Sequence, residues 1–233
     1  DHPLNYSKII QYEEFHPEAK EKLFTSMMWT ARVSNDILHQ GLYDSNLIKD
    51  MYHIHEDDVG FVSYGLRGRL FWDDKVKKPP KRLPHNENEW VGDWKVGGDD
   101  VVVKYITRSF INLIIESNCD YTVENESQYF FKGTQQYYRS RLTSSYITEK
   151  TMFPMLLKRP FLIWGGYGCL DALKDLGFKT FDKIFDESYQ YERDAHKRLG
   201  MILNQLKDLS DKSKYYLSEL YKSQEDILEH NQQ

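Results

Sequence analysis

The stretch Phe110-Ile-Asn-Leu-Ile-Ile115 is an apolar run, largely of branched residues, that ends at Glu116-Ser-Asn118. A short run that is apolar at nearly every position is typical of a strand covered on both faces, as in a parallel sheet. Sheets of α/β proteins present ligand-binding groups at the carboxyl ends of such strands. A second run, Phe161-Leu-Ile-Trp164, ends at Gly165-Gly166. Together the two runs predict an α/β fold with a polar site near Glu116.

The first part of the chain has a similar alternation of elements. Residues 22–29 have the pattern of a buried strand, and residues 32–47 carry apolar residues at helical spacing. A further short apolar run at residues 60–65 has glycine at both ends. This order predicts a strand, a helix and a second strand, which is one β-α-β unit.

A change of composition divides the chain near residue 100. Residues 67–100 keep no periodic apolar pattern and contain several Pro and Gly residues, which predicts a long linker. Apolar stripes at helical spacing return after residue 191. We therefore expect three regions: an N-terminal lobe with the linker over residues 1–100, a second lobe over residues 101–200, and C-terminal helices over residues 201–233.

Composition and charge exclude several protein classes. Of the 233 residues, 40% are hydrophobic and 29% charged, shares that are unlike those of a disordered chain or a coiled coil. Aromatic residues are abundant at 15%, which suits a stacking surface for planar ligands. The net charge of -5 argues against a protein that holds nucleic acid by bulk electrostatics.

The same sequence gives expectations about location. No apolar run approaches the roughly 20 residues that span a bilayer, and the first eight residues lack the features of a signal peptide. The two cysteines, Cys119 and Cys169, have no metal-ligand spacing and fit a reducing compartment. We therefore expect a cytoplasmic protein with no membrane partner.

Glu116 and the segment Thr148-Glu149-Lys150 form the first candidate site. A carboxylate at a strand end can accept hydrogen bonds from sugar hydroxyls, and a lysine near it can neutralise a diphosphate. The alternative is local: Thr148 caps a helix, Glu149 complements the helix dipole and Lys150 is solvated. Spacing alone favours this local interpretation.

Two further segments are candidates for phosphate or sugar contacts. Gly165-Gly-Tyr-Gly168 follows a strand and could admit a ligand close to the backbone, but its spacing also suits a simple tight turn. Lys132, Arg139 and Arg141 lie near Tyr137-Tyr138, a combination that suits phosphate binding with base stacking. The alternative for this basic cluster is a solvated loop.

Other kinds of chemistry have weaker support. His53-Ile-His55 could share one face of an extended segment, but no third metal ligand stands out, so we predict no metal site. No order of Ser, His and Asp and no Cys/His pair indicates nucleophilic catalysis. The catalytic residues are therefore left unassigned.

Three segments carry a resemblance to a known family: Ser109–Asn118, Tyr146–Lys150 and Lys158–Gly165. They resemble the nucleotide-sugar domain of GT-B glycosyltransferases, especially the α1,3-fucosyltransferase-like family. In that family a strand ending in Glu-Asn/Thr-Ser precedes a Tyr-Val-Thr-Glu-Lys motif, a helix and a strand ending in Gly. Leu176–Phe181 and Asp186–Tyr189 are similar to the ends of uncharacterised glycosyltransferase-like proteins of phages and large viruses.

The resemblance implies a fold and a function. The fold would be two small Rossmann-like lobes, GT-B-like, with C-terminal helices, and a nucleotide diphosphate sugar would lie between the lobes. The protein would transfer the sugar, without a required metal, to an acceptor such as a glycan, a protein or modified DNA. Glu149 would contact the ribose or sugar, Lys150 the diphosphate, and Glu116 would lie at the same strand edge. The leaving group would also be stabilised by Arg139 or Arg141.

One alternative function keeps the fold and loses the chemistry. It is a non-catalytic binding protein or a virion-associated protein. A viral protein of either kind would be expected in the host cytoplasm.

Overall fold

A computed structural model describes residues 22–28, 33–55, 90–91, 106–116 and 147–233. Within these ranges all strands belong to one parallel sheet, with the order β3-β2-β1-β4-β5. The strands are β1 (Lys22–Met28), β2 (Met51–His55), β3 (Trp90–Val91), β4 (Ser109–Ile115) and β5 (Phe161–Trp164). The expected α/β class is confirmed.

The described helices lie between and after the strands. The α-helices are α1 (Val33–Asp44), α2 (Glu149–Leu156), α3 (Cys169–Asp175), α4 (Ala195–Ser210), α5 (Lys214–Lys222) and α6 (Glu225–Gln232). Two short 3₁₀ helices, Ile48–Asp50 and Glu187–Tyr191, precede β2 and α4.

The strand order places a topological switch point between β1 and β4. From β1 the chain continues outward to β2 and β3 on one side, whereas from β4 it continues to β5 on the other. All strands run parallel, so the carboxyl ends of β1 and β4 lie side by side at Met28 and Ile115. In open α/β sheets ligands bind in the crevice at this position.

The expected two-lobe architecture is not what the described residues show. β1, from the expected first lobe, pairs with β4, from the expected second lobe, so strands on both sides of residue 100 share one sheet. The expected linker contributes a strand of its own, β3. Sequence patterning could not reveal this because a buried strand has the same apolar pattern in one shared sheet as in two separate sheets. The expected strand at residues 60–65 lies outside the described residues.

Strands β4 and β5 are buried throughout, although β5 ends the described sheet. Every side chain of both strands is buried. The apolar stripe of α4 covers this part of the sheet through residues such as Leu199, Ile202 and Leu206, which are at most 4% exposed. Asp194 starts α4 by accepting hydrogen bonds from the backbone amides of His196 and Lys197.

Close packing also joins the first and last parts of the chain. A Cβ atom at Gly41 of α1 would lie 2.7 Å from the Leu203 Cδ1 atom of α4, so the two helices approach through this glycine. At the chain end, Gln232 donates a hydrogen bond to the Leu156 carbonyl, and Asn231 exchanges two hydrogen bonds with the Lys179 backbone. The C-terminal helices are therefore part of the same packed unit.

Candidate functional site

Glu116 lies directly after β4, at the carboxyl edge of the sheet and next to the switch point. Its backbone amide donates to the Trp164 carbonyl over 3.1 Å, which holds the ends of β4 and β5 side by side. The residue is 2% exposed, so its carboxylate is almost entirely shielded from solvent. A buried carboxylate requires hydrogen-bond donors, because its charge is otherwise costly to remove from water.

Three of these donors come from the start of α2. The Thr148 amide lies 3.0 Å from Glu116 Oε1, and the Thr148 hydroxyl lies 2.8 Å from Oε2. The Thr151 hydroxyl lies 2.6 Å from Oε1 and is itself buried. A carboxylate has about four acceptor positions, so these contacts occupy most of its capacity. Glu116 thereby fixes the first turn of α2 against the end of β4.

Lys150 reaches the same strand end from the first turn of α2. Its Nζ atom donates to the Ile115 carbonyl over 3.1 Å, and the residue is 8% exposed. Its backbone amide donates to the Thr148 hydroxyl, which caps the helix. The ammonium group is therefore held at the sheet edge, one residue along β4 from Glu116.

The structure brings together part of the residue set expected from the sequence. Glu116, Thr148 and Lys150 meet at one point, although 32 residues separate Glu116 from Thr148. The local interpretation holds for Thr148, which does cap a helix, but not for Lys150, which is buried.

The other expected site residues have different outcomes. Glu149 begins α2, but its side chain lies outside what the structure describes. Arg139, Arg141 and the rest of the basic cluster also lie outside the described residues. Gly165 follows β5, where an added Cβ would lie 3.2 Å from Ile163 Cγ2 and 3.4 Å from Cys169. This glycine therefore permits close packing of the turn after β5.

An exposed aromatic pair lies just beyond that turn and was not singled out from the sequence. Tyr167 and Tyr191 are 44% and 50% exposed, and their ring centroids are 6.0 Å apart at an interplanar angle of 65°. The Arg193 guanidinium lies 5.2 Å from the Tyr167 ring centroid. We call these three residues the Tyr167 cluster. Tyr167 and Tyr191 are far apart in the sequence, so their spacing does not predict that their rings meet.

Hydrogen bonds hold the Tyr167 cluster in place. The Tyr191 hydroxyl donates to the Asp171 carboxylate, at 2.9 Å from Oδ2, and this bond raises the pKa of the phenol. Gln190 is 1% exposed and accepts hydrogen bonds from the amides of Leu170 and Asp171. Gln190 thus caps α3, whose N-cap residue is a glycine without a side chain.

Two further expectations concern metals and membranes. His53-Ile-His55 is extended in β2, as a shared metal-binding face would require. In the described part of the chain, no group of three or more His, Cys, Asp and Glu residues is arranged to hold a metal ion. None of the helices described above is both long and apolar enough to cross a bilayer.

No family model, no curated protein and no solved structure matches this chain.

Proposed function

We propose that this protein is a glycosyltransferase that binds a nucleotide diphosphate sugar at the carboxyl edge of its sheet. The observation that carries the proposal is the meeting of Glu116, Thr148 and Lys150 beside the switch point between β1 and β4. Ligands of open α/β sheets bind at this position. The resemblance of the same segments to a nucleotide-sugar domain gives the ligand class.

In this proposal Lys150 stabilises the leaving group. An acceptor hydroxyl attacks the anomeric carbon, the bond from that carbon to the diphosphate oxygen breaks, and the nucleoside diphosphate leaves with the electron pair. The hydroxyl proton passes to a base that we do not assign. Positive charge close to the diphosphate favours this bond breaking because negative charge accumulates there. Arg139 and Arg141 are the further candidates for this task.

Glu116 has a different role in this proposal from the one expected from the sequence. Because its carboxylate accepts three hydrogen bonds from Thr148 and Thr151, it is a positioning residue that fixes the start of α2. The contact with the ribose or sugar then falls to Glu149, in the first turn of the helix that Glu116 holds.

The Tyr167 cluster gives the proposed site a surface for a planar group. Tyr167 is three residues beyond Trp164, and three residues span at most about 11 Å of extended chain. Since the Trp164 carbonyl accepts the Glu116 amide, the cluster lies close to the same sheet edge. Stacking of the nucleobase on an exposed tyrosine would add affinity with little dependence on which base is present.

One observation favours a second candidate function, a non-catalytic binding protein with this fold. The head groups of both Glu116 and Lys150 are engaged by protein atoms at the strand end. Such an arrangement can keep a ligand site in shape without taking part in a reaction. The two functions differ in turnover: only the enzyme releases the sugar from its nucleotide.

Calorimetric titration with a panel of nucleotide sugars and free nucleoside diphosphates tests the proposal. Wild type is compared with Lys150→Ala, and with Lys207→Ala as a control at an exposed lysine of α4. We expect Lys150→Ala to weaken binding by about tenfold or more, because it removes a charge held at the site. Circular dichroism verifies that the variant is folded. If wild type binds none of these compounds, the proposal is wrong; binding without sugar release identifies the non-catalytic alternative.

A further inference from the structure

Arg198 is a buried guanidinium at the carboxyl end of β5. It lies in the first turn of α4 and is 0% exposed. That turn is fixed to the sheet by the Trp164 indole, which donates to the Ala195 carbonyl over 3.1 Å. Trp164 is also the residue whose carbonyl accepts the Glu116 amide. The guanidinium therefore belongs to the same sheet edge as Glu116 and Lys150, one strand further out.

The hydrogen bonding of Arg198 is incomplete. Its Nη1 atom donates to the Glu192 carbonyl. Its Nε and Nη2 atoms are buried and have no hydrogen-bond partner within the described ranges. These two nitrogens form one edge of the planar guanidinium, with N–H bonds that point in parallel. That edge matches the two oxygens of a carboxylate or phosphate group.

The groups around Arg198 determine whether its charge is balanced. No ion pair joins it to an acidic residue in the part of the chain that the structure describes. Among the described residues, Arg198 interacts electrostatically with Cys169 and Tyr189, both buried. Burial raises the pKa of Cys169 to about 12 and that of Tyr189 well above its ordinary value, so both remain neutral. A buried charge without a counterion is strongly unfavourable.

We propose that Arg198 binds an oxyanion, a phosphate or carboxylate group, through its Nε and Nη2 atoms. The inference does not rest on the proposed glycosyltransferase function, because free phosphate or a carboxylate would satisfy the guanidinium equally well. A phosphate group of a nucleotide bound at the same sheet edge is one source of the anion. Because the guanidinium is fully enclosed, the anion becomes buried when it binds.

Thermal unfolding with added anions tests this site. Inorganic phosphate, acetate and chloride are compared at equal ionic strength, and the protein is equilibrated with each anion before heating. For wild type we expect phosphate or acetate to raise the midpoint temperature in a saturable way that chloride does not reproduce. A further series with a nucleoside diphosphate shows whether a nucleotide is a source of the anion.

Two substitutions of Arg198 test whether this residue binds the anion. We expect Arg198→Met to weaken anion binding by about 10- to 100-fold, since it removes charge-assisted hydrogen bonds. Arg198→Lys keeps the charge but not the paired edge, so we expect an intermediate affinity, and this variant serves if Arg198→Met does not fold. Lys207→Met, at an exposed position of the same helix, is the control and should respond like wild type.

The inference is overturned if wild type shows no saturable stabilisation beyond that of chloride. It is also overturned if Arg198→Lys and Arg198→Met retain the full wild-type response. If wild type is stabilised by phosphate but binds no nucleotide sugar, only the proposed function is contradicted.

Discussion

Two buried charged groups lie at neighbouring strand ends, Glu116 after β4 and Arg198 beside β5, and they differ in their hydrogen bonding. The Glu116 carboxylate accepts three hydrogen bonds from the first turn of α2. The Arg198 guanidinium donates to one backbone carbonyl and keeps one edge without an acceptor among the described residues. Burial alone therefore does not assign a role to a charged residue. The protein supplies the partners of Glu116, which positions α2, whereas the open edge of Arg198 is the basis of the proposed anion site.

The largest expected effect on stability comes from removing the charge of Glu116, which is hydrogen-bonded by its neighbours in the first turn of α2. In Glu116→Gln the shape is kept, but the charge is lost and only one of the two head-group atoms remains an acceptor, so the three hydrogen bonds from Thr148 and Thr151 cannot all be kept. We expect the free energy of unfolding to fall by about 2–4 kcal/mol, measured by urea denaturation. Glu219→Gln, at an exposed helical position, is the control and should change it by less than about 1 kcal/mol. A small effect at Glu116 would mean that the carboxylate does not hold α2.

A smaller loss is expected when only one donor to Glu116 is removed. Thr151→Val keeps the side-chain shape and deletes the hydroxyl that lies 2.6 Å from Oε1. We expect a destabilisation of about 1–2 kcal/mol in the same urea experiment. Thr151→Ser restores the hydroxyl and should recover part of that loss. If Thr151→Val is as stable as wild type, Glu116 tolerates the loss of a hydrogen-bond donor. The proposed difference between Glu116 and Arg198 would then be wrong.

Alkaline pH tests whether the groups around Arg198 are neutral. The pKa of Cys169 is raised by burial from 9.0 to about 12, so the folded state keeps a proton that the unfolded state releases. The stability contributed by the neutral thiol is complete below pH 9 and is lost as the pH rises towards 12. We expect the unfolding free energy of wild type to fall more steeply than that of Cys169→Ala, by at most about 1.4 kcal/mol per pH unit. Identical slopes between pH 9 and 11 would show that the thiol already ionises in the folded protein.

The smallest expected effect concerns a third buried charge, Arg159, at the opposite end of β5. Its Nη1 atom donates to the Lys158 carbonyl and, over 2.8 Å, to the Tyr221 hydroxyl. Tyr221→Phe removes that acceptor but keeps the ring below the guanidinium, so we expect a destabilisation of about 1 kcal/mol. Tyr215→Phe, at a 77% exposed tyrosine, should be neutral. A neutral result at Tyr221 would show that Arg159 does not depend on its protein acceptors.

The sequence was most informative where burial is continuous. β4 and β5 were predictable because a short run that is apolar at nearly every position has few other solutions. Gly177, which follows α3 with a φ of 91°, is typical of a helix end. The end of α2 was harder to place, because Lys158 adopts a similar left-handed φ of 49° without being glycine. Strand order could not be predicted from the sequence, because the pairing of β1 with β4 joins segments about eighty residues apart.

The candidate site was predictable only in part. Glu116, Thr148 and Lys150 could be grouped because each lies at the end of an element that the pattern locates. The inward direction of their head groups depends on tertiary packing and could not be read from spacing. Arg198 gave no signal, because an arginine in an amphipathic helix has the same pattern whether its guanidinium is solvated or enclosed.

The most direct test of the contrast is the phosphate-dependent shift in midpoint temperature of wild type, Glu116→Gln and Arg198→Met, measured side by side. Our interpretation predicts that Glu116→Gln unfolds at a lower temperature but keeps the shift, whereas Arg198→Met loses it. The opposite pattern, with the shift lost in Glu116→Gln and kept in Arg198→Met, would contradict the assignment of the two charges.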